Sequence, residues 1–99
     1  MLMKRKSLQE DEATDSLALD VLLWMVQDPD RLLPFLNATG LTPDALRRAT
    51  DDAAILDAVL DHVMADEPVL LACARALECR PERIAAAWAR RRPRDFEAP

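Results

Sequence analysis

His62 is the only histidine of the 99-residue chain, so it is the first residue to consider for catalysis or metal binding. Helical spacing places Asp66 one turn after it, and Asp61 directly precedes it. A His-x-x-x-Asp pair can begin a metal site, but two ligands are too few and no second His or Cys cluster has ligand spacing. We therefore expect neither a metal nor another cofactor, and we expect a surface or half-buried His62 that pairs with Asp66.

A second candidate is the carboxylate pair Asp57 and Asp61, whose spacing is one helical turn. Paired carboxylates perform acid–base catalysis only in a desolvated cleft that separates their pKa values. These two lie opposite the apolar rows of the same predicted helix, so we expect a solvated acidic face. Such a face can bind a basic partner. Its candidate partner-binding residues are Asp57, Asp61, His62 and Asp66.

Four arginines close the last predicted helix, and they are Arg90, Arg91, Arg92 and Arg94. Cations near a helix carboxyl terminus are favoured by the helix dipole, which explains some of them. Four arginines within five residues are more than the stabilisation of a helix end requires. They are therefore candidate anion-binding residues for phosphate or for an acidic protein.

The chain offers little for catalysis or for generic nucleic-acid binding. A single glycine excludes the glycine-rich phosphate loops, and no nucleophile–base pair is apparent, so we expect no enzyme. Residues 10–78 carry 15 acidic and 4 basic side chains, a net charge of −11, within a total of −5. Such a body repels phosphate backbones, and a helix-turn-helix interpretation would present Asp57 and Asp61 to the groove. DNA binding is therefore disfavoured.

Cysteine usage and hydropathy favour the cytoplasm. The basic amino terminus leads into acidic residues rather than an apolar run, which is unlike a signal peptide. Cys73 and Cys79 are then expected to be reduced, with Cys73 packed as a small hydrophobic residue. The longest apolar stretch, Val21 to Val26, is too short to cross a bilayer, so no membrane partner is expected.

Composition and the residues that start and end helices predict an all-α fold. Val and Ile are few and Tyr is absent, which argues against a sheet. A helix from about Asp15 to Gln27 is apolar nearly all round, so we expect it to be central. Asp28-Pro29 should start the next helix, Pro34 should kink or split it, and Gly40 should end it. Further helix starts are predicted at Thr42-Pro43, residues 50–52, Asp66-Glu67-Pro68 and Arg80-Pro81.

The predicted domain organisation has three parts. Residues 1–13 form a charged, flexible segment, although Ser7 to Glu10 fits a capping box that would extend the first helix upstream. Residues 14–92 form a single helical domain, and residues 93–99 form a disordered tail.

The helix-capping residues, prolines and apolar positions repeat with an offset of 38 residues, which gives eight identities across residues 17–49. Val21-Leu22 matches Val59-Leu60, and Asp28 and Pro43 match Asp66 and Pro81. Two units are too few for an open solenoid. We therefore expect a compact bundle of five or six short helices, built as two pseudo-repeats of a helix–helix–helix unit, although any two amphipathic stretches share some of this pattern.

Three segments resemble an uncharacterised family of small helical proteins from alphaproteobacteria, one of the families of unknown function. They are residues 26–36, 39–47 and 59–71, with the strings Thr-Gly-Leu-x-Pro and Ala-Asp-Glu-Pro, and the resemblance covers roughly residues 15–88. It implies no activity and no catalytic residues. Because members are often encoded beside two-component signalling genes, it implies a signalling component as the partner.

The functional hypothesis is a cytoplasmic, regulatory helical module that binds another protein. Its contacts would lie on the acidic face or in an apolar groove between the two repeats, and it would be a monomer or a homodimer. The alternative hypothesis is a nucleic-acid-associated protein that uses the arginine-rich end.

Overall fold

The computed structural model describes residues 2–48 and 52–91, with side chains from residue 12 onward. Six helices make up this part of the chain and no strand occurs in it, which confirms the all-α prediction. They are α1 (Leu2–Val26), α2 (Pro29–Thr39), α3 (Pro43–Arg48), α4 (Ala53–Met64), α5 (Glu67–Ala76) and α6 (Pro81–Arg91).

The helix boundaries follow local chemistry. The carboxylate of Asp28 accepts a hydrogen bond from the backbone N–H of Asp30 at 2.9 Å and caps α2, and Asp52 caps α4 in the same way. The hydroxyl of Thr42 accepts from the N–H of Ala45 at the start of α3, at 3.1 Å. These side chains satisfy N–H groups that a helix start leaves without partners.

Gly40 ends α2 as predicted. Its φ of 77° lies in the left-handed region, and its N–H donates to the carbonyl of Leu36 at 2.8 Å. Pro34, in contrast, does not split α2, which continues from Pro29 to Thr39 around it. Pro34 removes the N–H that would bond to the carbonyl of Asp30, but Asp30 is exposed and water can replace that donor.

The first helix is longer than predicted, because α1 begins at Leu2 rather than near Asp15. Ser7 therefore lies inside the helix instead of capping it. The predicted flexibility of residues 1–13 stays a prediction. The predicted tail, residues 93–99, lies outside the described residues, as do Thr50 and Asp51 of the predicted α4 start.

The core lies where α1, α4 and α6 meet, with α2 and α5 packed around them. Leu22, Met25, Leu60 and Ile84 are fully buried there. Phe35 is also fully buried and anchors α2. The short α3 buries one side chain, Leu46. The expected bundle of five or six helices is thus confirmed.

Arg31 closes the end of α1. Its guanidinium donates through Nε and Nη2 to the carbonyl of Trp24, at 3.1 and 2.7 Å. The same group lies 4.2 Å from the centre of the Trp24 ring and pairs with Asp28 at 3.5 Å. One side chain therefore fixes the angle at which α2 leaves α1.

Several boundaries recur at the 38-residue offset. Helices α1 and α4 end at Val26 and Met64, and Asp28 and Asp66 are both N-caps. Helices α3 and α6 begin at Pro43 and Pro81, and the two positive φ angles of the described backbone belong to Gly40 and Glu78. The pseudo-repeat itself stays a prediction, and below we compare positions that lie 38 residues apart.

Candidate functional site

The predicted acidic face of α4 is engaged by α6. Arg91 donates through Nε to Asp57 Oδ1 at 2.5 Å, through Nη1 to Asp15, and through Nη2 to the carbonyl of Ala53 at 3.3 Å. Its side chain is only 13% exposed. A single cation thus joins α1, α4 and α6.

One turn further along α4, the Nε1–H of Trp88 donates to Asp61 Oδ1 at 2.6 Å. The sequence led us to expect that Asp57 and Asp61 lie on a solvated face, and it did not predict their contacts with α6. Each makes a hydrogen bond within the chain, although Asp61 stays exposed and the Asp57 side chain is 45% exposed. Binding of a basic partner at these residues stays a prediction.

His62 and Asp66 do not pair, which corrects the expectation. His62 is half-buried and packs edge-on against Phe35, with ring centroids 5.4 Å apart and an interplanar angle of 74°. The carboxylate of Asp66 instead accepts a hydrogen bond from the N–H of Val69 at 3.4 Å, as the N-cap of α5. Across residues 12–48 and 52–91, no three His, Cys, Asp or Glu side chains come together as a metal would require.

The arginine-rich end is divided by the fold. Arg91 points into the ion-pair cluster described above. Arg90 lines a shallow groove of about 300 Å³ between α1 and α6, together with Arg83 and Leu17. Arg92 and Arg94 lie outside the described residues. Anion binding by the remaining arginines stays a prediction, with Arg91 committed to carboxylates of its own chain.

Cys73 behaves as the sequence predicted, because it is a fully buried free thiol in the core. Burial raises the pKa of this thiol to about 12, and the neighbouring Cys79 adds to the rise while Arg31 opposes it. Cys79 is also a free thiol and is half-buried. A thiol with so high a pKa is unreactive at neutral pH.

The surface that sequence reasoning missed lies on α1. Leu19, Leu23 and Val26 follow the spacing of one helix face and are 37%, 46% and 38% exposed. We call these three side chains the α1 stripe. A row of exposed large apolar side chains on one helix face is a candidate interaction site.

The α1 stripe borders an apolar groove of about 390 Å³ between α1, α2 and α3. We call it the α1–α3 groove. Its lining consists of apolar side chains with one arginine at the rim, namely Leu22, Leu23, Val26, Leu32, Pro43, Leu46 and Arg47. This volume suits one or two large apolar side chains of a partner.

The two edges of the α1 stripe carry opposite charge. On the α3 side, Arg47 and Arg48 share the carboxylate of Asp44, at 2.9 and 3.5 Å, and their side chains are 76% and 81% exposed. On the other side, Asp20 lines a second groove of about 320 Å³ with Leu23, Trp24, Gln27, Ala76 and Leu77. Leu23 therefore lies between a basic edge and an acidic edge.

The 38-residue offset relates the α1 stripe to the acidic face of α4. Leu19 and Leu23 correspond to Asp57 and Asp61. In the second half, the 11-residue α6 reaches both carboxylates through Trp88 and Arg91. In the first half, the corresponding helix α3 is described from Pro43 to Arg48, and the α1 positions carry apolar side chains that accept no hydrogen bonds. The sequence feature that could have indicated this exposed surface is the α1 segment that is apolar nearly all round, which instead predicts a central helix.

Helix α1 does contact α2, α4, α5 and α6, yet the α1 stripe stays open. Within residues 2–48 and 52–91, no helix has the combination of length and apolar character that a membrane span requires.

Comparison with known proteins gives one match. A family model described as "Protein of unknown function (DUF3572)" matches residues 11–93. No curated protein and no solved structure matches the chain significantly.

Proposed function

The chain belongs to the DUF3572 family of proteins of unknown function, and we propose that this protein is a non-enzymatic interaction module that binds an amphipathic helix of another protein. The helix lies along the α1 stripe and inserts apolar side chains into the α1–α3 groove. This is the helix-in-groove mode of recognition.

The observation that carries the proposal is the exposed α1 stripe beside an apolar groove, at positions whose counterparts in the second half accept hydrogen bonds from a helix. Leu19, Leu23 and Val26 expose about 40% of their surface on average, and burying them would contribute to affinity through the hydrophobic effect. Since α6 contacts the equivalent face of α4 through Trp88 and Arg91, a helix is the element whose shape suits this face.

The proposal changes the preferred surface within the interaction-module hypothesis. On an acidic face at Asp57 and Asp61, each carboxylate already accepts a hydrogen bond, from Arg91 and Trp88 respectively, so part of its capacity for a partner is used. The apolar side chains of the α1 stripe make no such bonds. A signalling component of the cytoplasm remains our proposal for the partner's class, and the chain acts on it by binding rather than by catalysis.

The test uses a labelled synthetic helix of about 18 residues, long enough for five turns, with leucines along one face and glutamine elsewhere. Fluorescence anisotropy gives its Kd for the full chain and for two variants, Leu23→Glu and Leu71→Glu. Leu71 is the matched control because it is 46% exposed, as Leu23 is, and lies on α5.

We expect Leu23→Glu to raise the Kd at least about tenfold, because a carboxylate would be buried without a partner. Leu71→Glu should leave the Kd unchanged, and circular dichroism should show both variants folded. Equal effects of the two variants, or no binding by the wild-type chain, would contradict the proposal. A wild-type dimer in light scattering that Leu23→Glu dissociates would show that a second copy, and not another protein, occupies the α1 stripe.

A further inference from the structure

The charges beside the α1 stripe specify more than an apolar helix. Resting on the proposed function, we propose that the partner helix carries acidic side chains along the edge that faces Arg47 and Arg48, and none along the edge that faces Asp20. The partner is thus an amphipathic helix with one acidic flank, which fixes the direction in which it lies.

The basic edge, formed by Arg47 and Arg48, can bind an acidic group of a partner. Asp44 is the carboxylate shared by Arg47 and Arg48, so two cations face one anion. Both arginine side chains remain more than three-quarters exposed, and each guanidinium has five N–H donors. A carboxylate on a docked helix can therefore add charge-assisted hydrogen bonds without displacing Asp44.

The basic edge is also part of the groove wall. Arg47 lines the α1–α3 groove together with Leu46, the side chain by which α3 attaches to the core. A helix whose apolar side chains enter this groove must pass alongside the α3 edge. Contact with Arg47 thus follows from occupation of the groove.

The opposite edge disfavours the same charge. Asp20 is exposed and lies across Leu23 from the groove, beside the uncharged Gln27. A carboxylate on that flank of the helix would meet a like charge, which raises the free energy of the complex. A helix with acidic side chains on both flanks is therefore a worse fit than one with a single acidic flank.

The test compares three probe peptides that share the leucine face of the peptide above. They carry glutamate, lysine or glutamine along one flank, and glutamine along the other. Kd values are measured for the full wild-type chain, for the double variant Arg47→Gln/Arg48→Gln, and for the control Arg75→Gln, which removes an exposed arginine from α5.

In wild type we expect the glutamate peptide to bind about three- to tenfold more tightly than the lysine peptide, which is typical of a few exposed charge pairs. The difference should vanish in the double variant, persist in Arg75→Gln, and shrink at high salt. The glutamine peptide should bind wild type and double variant equally.

The possible failures are distinct. If the glutamine peptide binds but the glutamate and lysine peptides bind equally, or if lysine is preferred, the acidic-flank inference is overturned and the proposed function stands. If the preference for glutamate survives in the double variant, its source is not Arg47 and Arg48, which also overturns the inference. If no peptide binds, the proposed function and the inference both fall.

Discussion

The faces of α1 and α4 that are related by the 38-residue offset differ in chemistry although both are partly exposed, since Asp57 is 45% exposed and Leu23 is 46% exposed. On α4, the carboxylates of Asp57 and Asp61 are bonded by side chains of α6. On α1, the equivalent positions hold Leu19 and Leu23, which face solvent. The difference is that side chains of α6 donate hydrogen bonds to the α4 face, whereas the α1 face presents apolar side chains.

This comparison shows that the contacts of a helix face depend on distant elements as well as on the face itself. On α4, Arg91 pairs with Asp57 and Trp88 donates a hydrogen bond to Asp61. The leucines of α1 have no such element above them within the described residues. The predictions below test this contrast, beginning with the largest effect.

Leu22 and Leu23 are adjacent in sequence but differ in burial. Leu22 is fully buried, whereas Leu23 is 46% exposed. We expect Leu22→Ala to lower the free energy of unfolding by about 3 kcal/mol, since it leaves a core cavity, and Leu23→Ala to lower it by less than about 1 kcal/mol. Urea denaturation followed by far-UV circular dichroism measures both. A comparable loss at Leu23 would mean that the α1 stripe is covered in solution.

A substitution of Arg91 tests the contacts that α6 makes with the face of α4. Arg91→Ala removes the bonds to Asp15, Asp57 and the carbonyl of Ala53, and we expect it to cost about 2 kcal/mol because the guanidinium is largely buried while its partners are partly solvated. Arg83→Ala is the matched control, since Arg83 lies on the same helix and is exposed. If the two variants were equally stable, the Arg91 cluster would not hold α6 in place.

Cys73 gives a pH-dependent measure of how completely the core is covered. Its pKa rises from 9.0 to about 12 on burial, so the folded state keeps a proton that the unfolded state loses above about pH 9. The stabilising effect is complete below that pH and declines as the pH rises toward about 12. By about pH 10 the loss should be about 1 kcal/mol.

The measurement is guanidinium denaturation at about pH 8 and about pH 10, and the absence of tyrosine leaves few other groups that titrate in this window. Cys73→Ala should weaken the pH dependence, while Cys79→Ala should retain it. An unchanged dependence in Cys73→Ala would assign it to other groups.

Helix boundaries were predictable from the sequence because their causes are local. Asp28 with Pro29, Thr42 with Pro43, and Gly40 each act on backbone groups within a few residues, and the structure has the expected helix start or end at each one. The start of α1 was not predictable in this way. A charged segment with no apolar face gives no periodic signal, and α1 extends through it to Leu2.

The candidate site was less predictable because it depends on contacts distant in sequence. The pair of His62 and Asp66 satisfied helical spacing, but Phe35 from α2 provides the contact that His62 makes, and the N–H of Val69 provides the one that Asp66 makes. Likewise, nothing within α1 reveals that Leu23 stays 46% exposed while the adjacent Leu22 is fully buried. These outcomes depend on the packing of helices against one another.

The bond between Arg91 and Asp15 joins residues 76 positions apart, which has a consequence for the order of folding. Closing so large a loop costs more chain entropy than forming neighbouring helix pairs, so contacts of this separation are expected to form late. During synthesis, the segments of α1 to α5 emerge before α6. Until α6 emerges, Asp57 and Asp61 lack their hydrogen bonds from Arg91 and Trp88, and the core lacks the buried side chains of Ile84 and Ala87.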